Sequence, residues 1–235
     1  MARPIFIIAT APYERAKIKN LLDPAPGGVI DLMKKPSQIR SSGWDMRIYE
    51  NPKIQDGQYL EANVGGDKVI KVHDDGTCIL QAAADSEYLG WGQGADKWAE
   101  KPVVNTLAFT ELVLNYFKYY AQLLKKIPEK VVNLKTIAEF KNCLSPGKGL
   151  TLSPYEIKTY GWDLGLDGYE AKQDVYKISV DLEAKDLERN PGIPAHKIMR
   201  AMYFAYGAKD EEIERYPYTS HDESSHPYID ETKIK

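Results

Sequence analysis

One stretch, Pro102 to Lys126, constrains the fold of this chain more than any other. Its polar residues Glu111, Asn115, Lys118, Gln122 and Lys125 fall at steps of three and four, which trace one narrow line on a 3.6-residue helix. The remaining positions are apolar or aromatic, from Val104 and Leu107 through Phe109, Leu112, Tyr116 and Phe117 to Tyr120, Leu123 and Leu124. A helix apolar over most of its circumference is buried. The spacing therefore predicts a central helix with chain packed on at least two sides. Asn105 or Thr106 can cap its start, because a short polar side chain there accepts a bond from an orphan backbone N–H. Pro128 sets its end. The helix is no membrane span, because Glu111, Asn115, Lys118 and Gln122 would sit in hydrocarbon.

Before the helix, Pro4 to Thr10 is a short β-branched run and reads as a buried strand. Tyr13 to Leu22 carries a weak helical pattern, and Val29 to Lys35 one or two helical turns. From Trp44 the period changes to two. Breakers at Asn51-Pro52, Asp56-Gly57, Gly65-Gly66 and Asp74-Asp75-Gly76 mark turns, so Arg47 to Ala84 reads as an antiparallel meander. Tyr88 to Trp98 is a glycine- and tryptophan-rich loop. After the helix, Lys130 to Phe140 and Tyr176 to Leu182 read as strands. A last helix has Pro194 in its first turn, Ile198, Met199, Met202, Tyr203 and Tyr206 on one face, and Gly207 just past its end.

This order makes the fold α+β: an antiparallel meander packed around a long central helix, with a second group of strands and a C-terminal helix. Residues 1–145 are expected to hold the meander and central helix. Residues 146–215 form a second β/α lobe packed on the first, and residues 216–235 a flexible acidic and polar tail.

Charge narrows the partners. The net charge is −3, which argues against coating nucleic acid by bulk charge, although it leaves room for a locally held nucleic acid. Met1 to Glu50 holds eight Lys/Arg against five Asp/Glu, whereas Lys209 onward holds four against eight. An anionic small molecule or a partner protein is the expected partner, with no membrane, and the chain is expected to be an oligomer or part of a larger complex. Cys78 and Cys143 lack a CxxC or a His/Cys cluster, so neither a structural zinc nor any other metal or cofactor is expected. With no signal peptide at the N-terminus, the expected compartment is the cytoplasm.

Two clusters carry candidate chemistry. Arg40, Trp44 and Arg47 precede the meander and Trp91 and Trp98 follow it. If a curved sheet brings them together, Arg40, Trp44, Arg47 and Trp91 form a ligand-binding concavity suited to an anion, a base or a peptide. The alternative is a metal-dependent nuclease, in which carboxylates hold the metal and a Glu-x-Lys lysine positions the attacking water. The best placed triplet is Glu170–Lys172, after Asp163 and Asp167, which makes Asp167, Glu170 and Lys172 the catalytic set of that reading. The other motifs fall short. Gly90-Trp91-Gly92-Gln93-Gly94 has the wrong spacing for GxGxxG, and Gly147-Lys148-Gly149 lacks the following hydroxyl of a phosphate loop. His196 reads as a residue on the surface of the last helix.

The succession of PIFIIATAP, Arg40-Ser41-Ser42-Gly43-Trp44-Asp45, Asp74-Asp75-Gly76, Tyr88-Leu89-Gly90-Trp91-Gly92, the helix opening near Asn105 and the late helix ending Tyr206-Gly207 resembles a known arrangement. It is similar to the C-terminal, non-catalytic region that follows the DNA-binding domain in bacterial proteins of the Schlafen-AlbA type, over the chain to about Gly207. The DNA-binding domain itself is not evident here. The resemblance implies a non-enzymatic sensing or interaction module of a bacterial regulatory or defence protein, and it carries over no functional residue.

Overall fold

In the computed structural model, which describes residues 2–23, 25–41, 43–90, 102–145, 148–153 and 168–234 (backbone only at 145 and 148), the apolar stretch is helical from Thr106 to Leu124. Asn105 caps it, its side chain accepting from the N–H of Leu107 at 2.8 Å and of Ala108 at 3.4 Å. The cap is where the sequence places it, although the stretch opens at Pro102. Pro102 to Val104 is extended instead, because the β-branched pair Val103–Val104 finds a strand to pair with.

The helices are α1 (Val29–Lys34), α2 (Thr106–Leu124), α3 (Ala184–Arg189), α4 (Gly192–Ala205) and α5 (Asp210–Glu214). The strands of the main sheet are β1 (Ile5–Pro12), β2 (Lys53–Gln55), β3 (Tyr59–Val64), β4 (Lys68–His73), β5 (Cys78–Ala83), β7 (Asn133–Lys141) and β12 (Val175–Glu183). Their order is β12-β7-β1-β5-β4-β3-β2, antiparallel throughout. β6 (Val103–Val104), β10 (Thr151–Leu152) and β11 (Tyr169–Glu170) form a small second sheet. β8 (Leu144–Ser145) pairs β9 (Lys148–Gly149), and β13 (Thr219–His221) pairs β14 (Pro227–Ile229). The fold is α+β, and the meander is present with its Gly76 turn at φ 84°.

One face of the sheet lies against α2. Phe6 of β1 and Phe140 of β7 meet Phe109 of α2, with centroids 4.8 and 5.2 Å from it. Tyr116 and Tyr120 donate to the backbone oxygens of Cys78 and Gly76, so each buried hydroxyl is satisfied where it lands. α4 packs beside α2 and on β12. Tyr203 bonds Thr106 at 2.8 Å, and Tyr206 stacks on Tyr176 with centroids 4.0 Å apart.

Three expectations change. β12, assigned to a second lobe, pairs β7 over nine residues, so the chain on both sides of residue 146 shares one sheet and one core. Residues 216–234 are not a loose tail. They form the β13–β14 hairpin and a short turn, and bury Tyr216, Tyr218, Ile229 and Ile234. Tyr216 bonds Thr110 and Lys118 pairs Glu231, both on α2. Four apolar anchors outweigh the polar residues between them. Finally, Tyr13 to Leu22 is not helical. The N–H of Tyr13 is held by Asn133 and that of Ile18 by Asp74, which pins the segment to the sheet ends.

Candidate binding site

The Arg40–Arg47 segment lies over α2, with Arg40 beside Trp44 and Arg47 beside Asp45. Arg40 forks onto the carboxylate of Glu111, which is completely buried, and its guanidinium lies 5.9 Å from the centre of the Trp44 ring. The indole N–H of Trp44 donates to Tyr88 O at 2.9 Å, and Asn115 Nδ2 donates to Trp44 O at 2.8 Å. Lys68, itself buried, donates to the Asp45 backbone oxygen and carboxylate at 2.7 and 3.1 Å. Burial pulls the Lys68 ammonium below its ordinary value, and Asp45 opposes this. Arg47 sits 3.8 Å from the same carboxylate. A Cβ on Gly43 would collide with Glu111, so the close approach of this segment to α2 requires glycine. The arginine fork and the lysine are thus spent on buried carboxylates of the protein itself. Trp91 and Trp98 lie outside the described residues.

The nuclease set is not assembled among the described residues. Glu170 Oε1 accepts the N–H of Gly149 at 3.1 Å, Lys172 is exposed, and Asp167 lies outside the described residues. No group of three or more His, Cys, Asp or Glu among the described residues is placed to hold a metal ion. Both cysteines are buried, which pushes their thiols up, Cys143 to about 11, so neither is a ready thiolate.

A different region has the chemistry of a binding site. A cavity of about 910 Å³ opens between α4, α5, the β13–β14 hairpin and Val180 of β12. α4 contributes His196, Arg200 and Phe204, at steps of four along one helix face, with Lys197 and Ala201 beside them. α5 contributes Asp210, Ile213 and Glu214, and the hairpin Thr219, His221 and Pro227.

His196 is 5% exposed, not a surface residue. It falls three and seven residues before Met199 and Tyr203, on the buried side of α4. Among the described residues its imidazole makes no hydrogen bond. Burial, then the charge of Arg200 and the neighbouring His221, depress its pKa to about 4, so the ring is uncharged at neutral pH. The buried Thr219 hydroxyl also has no partner. By contrast, the charges around the cavity are occupied or balanced. Arg200 pairs Asp210 at 3.0 Å and lies 4.7 Å from the centre of the Phe204 ring, and Lys197 pairs Asp186 at 3.2 Å.

What remains is a chamber of mixed lining with one buried hydroxyl lacking a partner, that of Thr219, beside an uncharged imidazole that bonds no described residue. Such groups are uncommon in protein interiors and each asks for a reason. The helical period could have revealed His196, since it shares a face with Met199 and Tyr203. Nothing local in the sequence marks Thr219, whose position depends on the hairpin fold. Comparison of the chain with family models, with curated proteins and with solved structures finds no significant match.

Proposed function

We propose that this chain is a non-enzymatic binding module, and that the cavity between α4, α5 and the hairpin takes a small molecule with an apolar body and an uncharged polar edge. The observation that carries this is that His196, a buried residue whose imidazole bonds no described residue, and the unpartnered Thr219 hydroxyl line one chamber. Val180, Ala201, Phe204, Ile213 and Pro227 suit the apolar body. A neutral imidazole and a hydroxyl can each donate and accept, which suits the edge of a heterocycle or an amide.

The same geometry favours binding over catalysis. An imidazole with a pKa near 4 is a weak base at neutral pH, and among the described residues no nucleophile is bonded to it. The resemblance to the Schlafen-AlbA-type region supplies the setting of the proposal, a sensing module in a bacterial regulatory or defence protein.

The test is a thermal-shift screen with uncharged heterocycles and aromatic amides (nucleobases, nucleosides, benzamide) beside carboxylates and phosphates, followed by calorimetry on the compounds that raise the melting temperature. His196→Leu and Thr219→Val should each weaken binding about tenfold without lowering the melting temperature of the free protein. The reading fails if no uncharged compound stabilises the protein, or if both variants bind as the wild type does. Preference for carboxylates or phosphates, with affinity rising as pH falls, would replace the uncharged ligand by an anionic one.

A further inference from the structure

The main sheet ends at β12, and no other strand of the described residues lies on its outer side. Backbone parity shows which groups face outward. The N–H of Ala184 donates to Val132 O, in the same register that pairs Val175 with Lys141. In an antiparallel ladder, hydrogen-bonded and non-bonded pairs alternate. The even-numbered residues of β12 therefore spend their backbone groups on β7. The bond from Tyr13 N–H to Asn133 O gives the same parity from the other side of β7, since it assigns the odd residues of β7 to β1. The backbone N–H and C=O of Val175, Lys177, Ser179 and Asp181 consequently point to the open edge and bond no other described residue, while Glu183 caps α3.

Nine residues of open edge form a template for another strand. Here the edge is complementary to itself. Turned antiparallel about Ser179, one β12 sets Lys177 opposite Asp181 of a second copy and Asp181 opposite Lys177, while Ser179 meets Ser179. Centred on Lys177 or Asp181 instead, the pairing would put like charges face to face. Lys177 is exposed and makes no ion pair among the described residues. Asp181 accepts from Tyr13 OH at 2.6 Å through one oxygen, which leaves the other for a lysine. The parity also fits, because Ser179 and its neighbours at two-residue steps are the positions whose backbone groups face out. In addition, the solvent face of the sheet carries a row in register from Ile79 through Ala9 and Ile137 to Ser179. Pairing at Ser179 joins two such rows into one.

We propose that two copies of this chain associate through β12, antiparallel about Ser179, into one continuous sheet with two Lys177–Asp181 pairs across the seam. Opposite charges directly across a strand pair stabilise it and like charges oppose it. Such an interface is self-complementary, as a two-fold dimer requires.

The experiment is sedimentation velocity over a dilution series of the full chain, with circular dichroism melts to confirm folding. The wild type should pass from monomer to dimer as concentration rises. Lys177→Asp and Asp181→Lys should each weaken the dimer at least tenfold, and the double swap should restore it. Ser179→Cys should give a disulfide-linked dimer under mild oxidant, since Cα atoms of a hydrogen-bonded pair lie about 5.5 Å apart. Lys177→Cys should not, its two copies standing four residues out of register. Cys78 and Cys143 are buried and do not confuse the readout. A wild type that stays monomeric at every concentration overturns the proposal. So does a dimer that single swaps leave unchanged, or one in which Lys177→Cys links as readily as Ser179→Cys.

Discussion

The Arg40–Arg47 segment and the α4–α5 cavity hold similar residue types, yet they are opposites physically. In the first, the arginine fork and the lysine meet carboxylates from the same chain, Arg40 on Glu111 and Lys68 on Asp45. In the second, Arg200 and Lys197 pair with Asp210 and Asp186, the Thr219 hydroxyl has no partner and the His196 ring bonds no described residue. A cluster rich in arginine and tryptophan is conspicuous in a sequence, but its donors are already used to hold α2 in place. Two inconspicuous residues, one in an aromatic helix and one in an apparent tail, bring uncharged polar groups to the cavity wall. The first region also holds unpartnered atoms, Asn115 Oδ1 and the Tyr88 hydroxyl, so what sets the second apart is that His196 and Thr219 line a cavity of about 910 Å³.

Arg40→Ala gives the sharpest break in this contrast. It strands the Glu111 carboxylate in the core, and breaking a buried pair from one side costs about 4 kcal/mol. Chemical denaturation should show that loss, while calorimetry at the cavity should show unaltered affinity per folded molecule. Loss of affinity with retained stability would return the binding site to this segment.

Acid should act on the other region. The His196 pKa falls from 6.5 to about 4 on folding, so the unfolded chain takes up the proton first. Stability from this group is whole above pH 6.5 and drains away as pH falls toward 4, by up to about 3 kcal/mol. The groups near the ring, Arg200 and His221, add positive charge and favour the neutral form. Denaturant midpoints measured from pH 7 to 4 should fall more steeply for the wild type than for His196→Leu. Parallel profiles would mean that His196 is solvated.

Gly43→Ala should cost about 2 kcal/mol, because the new methyl forces the segment off Glu111. Smallest of all, Thr219→Val should change stability by less than about 0.5 kcal/mol, since no bond is lost when an unpartnered hydroxyl becomes a methyl. If Thr219→Val unfolds the protein, the hydroxyl has a structural role and the contrast between the regions is weaker than drawn.

Much of the fold was readable from local pattern. The α2 stretch, its Asn105 cap, the meander with its Gly76 turn and the Gly207 stop all follow from periodicity and turn chemistry. The polar line on α2 misled in one respect: Glu111 and Asn115 face a covering segment rather than water, and only Gly43 hinted that chain could come so close. Residues 216–234 read as loose because acidic and small polar residues separate Tyr216, Tyr218, Ile229 and Ile234. Their burial depends on contacts with α2 and α4 far away in sequence, which no local window contains.

The position of β1 has a consequence for the time course of folding. It is made before every other strand of this sheet and lies third from one edge, bonded on one side by β5 and on the other by β7. Ile5 pairs with Ala83 and with Lys141, so this strand waits for chain far downstream before either edge is covered. Pairings so distant in sequence form slowly, and an apolar strand with open edges is prone to find the wrong neighbour meanwhile. Expression at lower temperature, or with a chaperone that holds extended apolar segments, should raise the soluble yield of this protein for that reason.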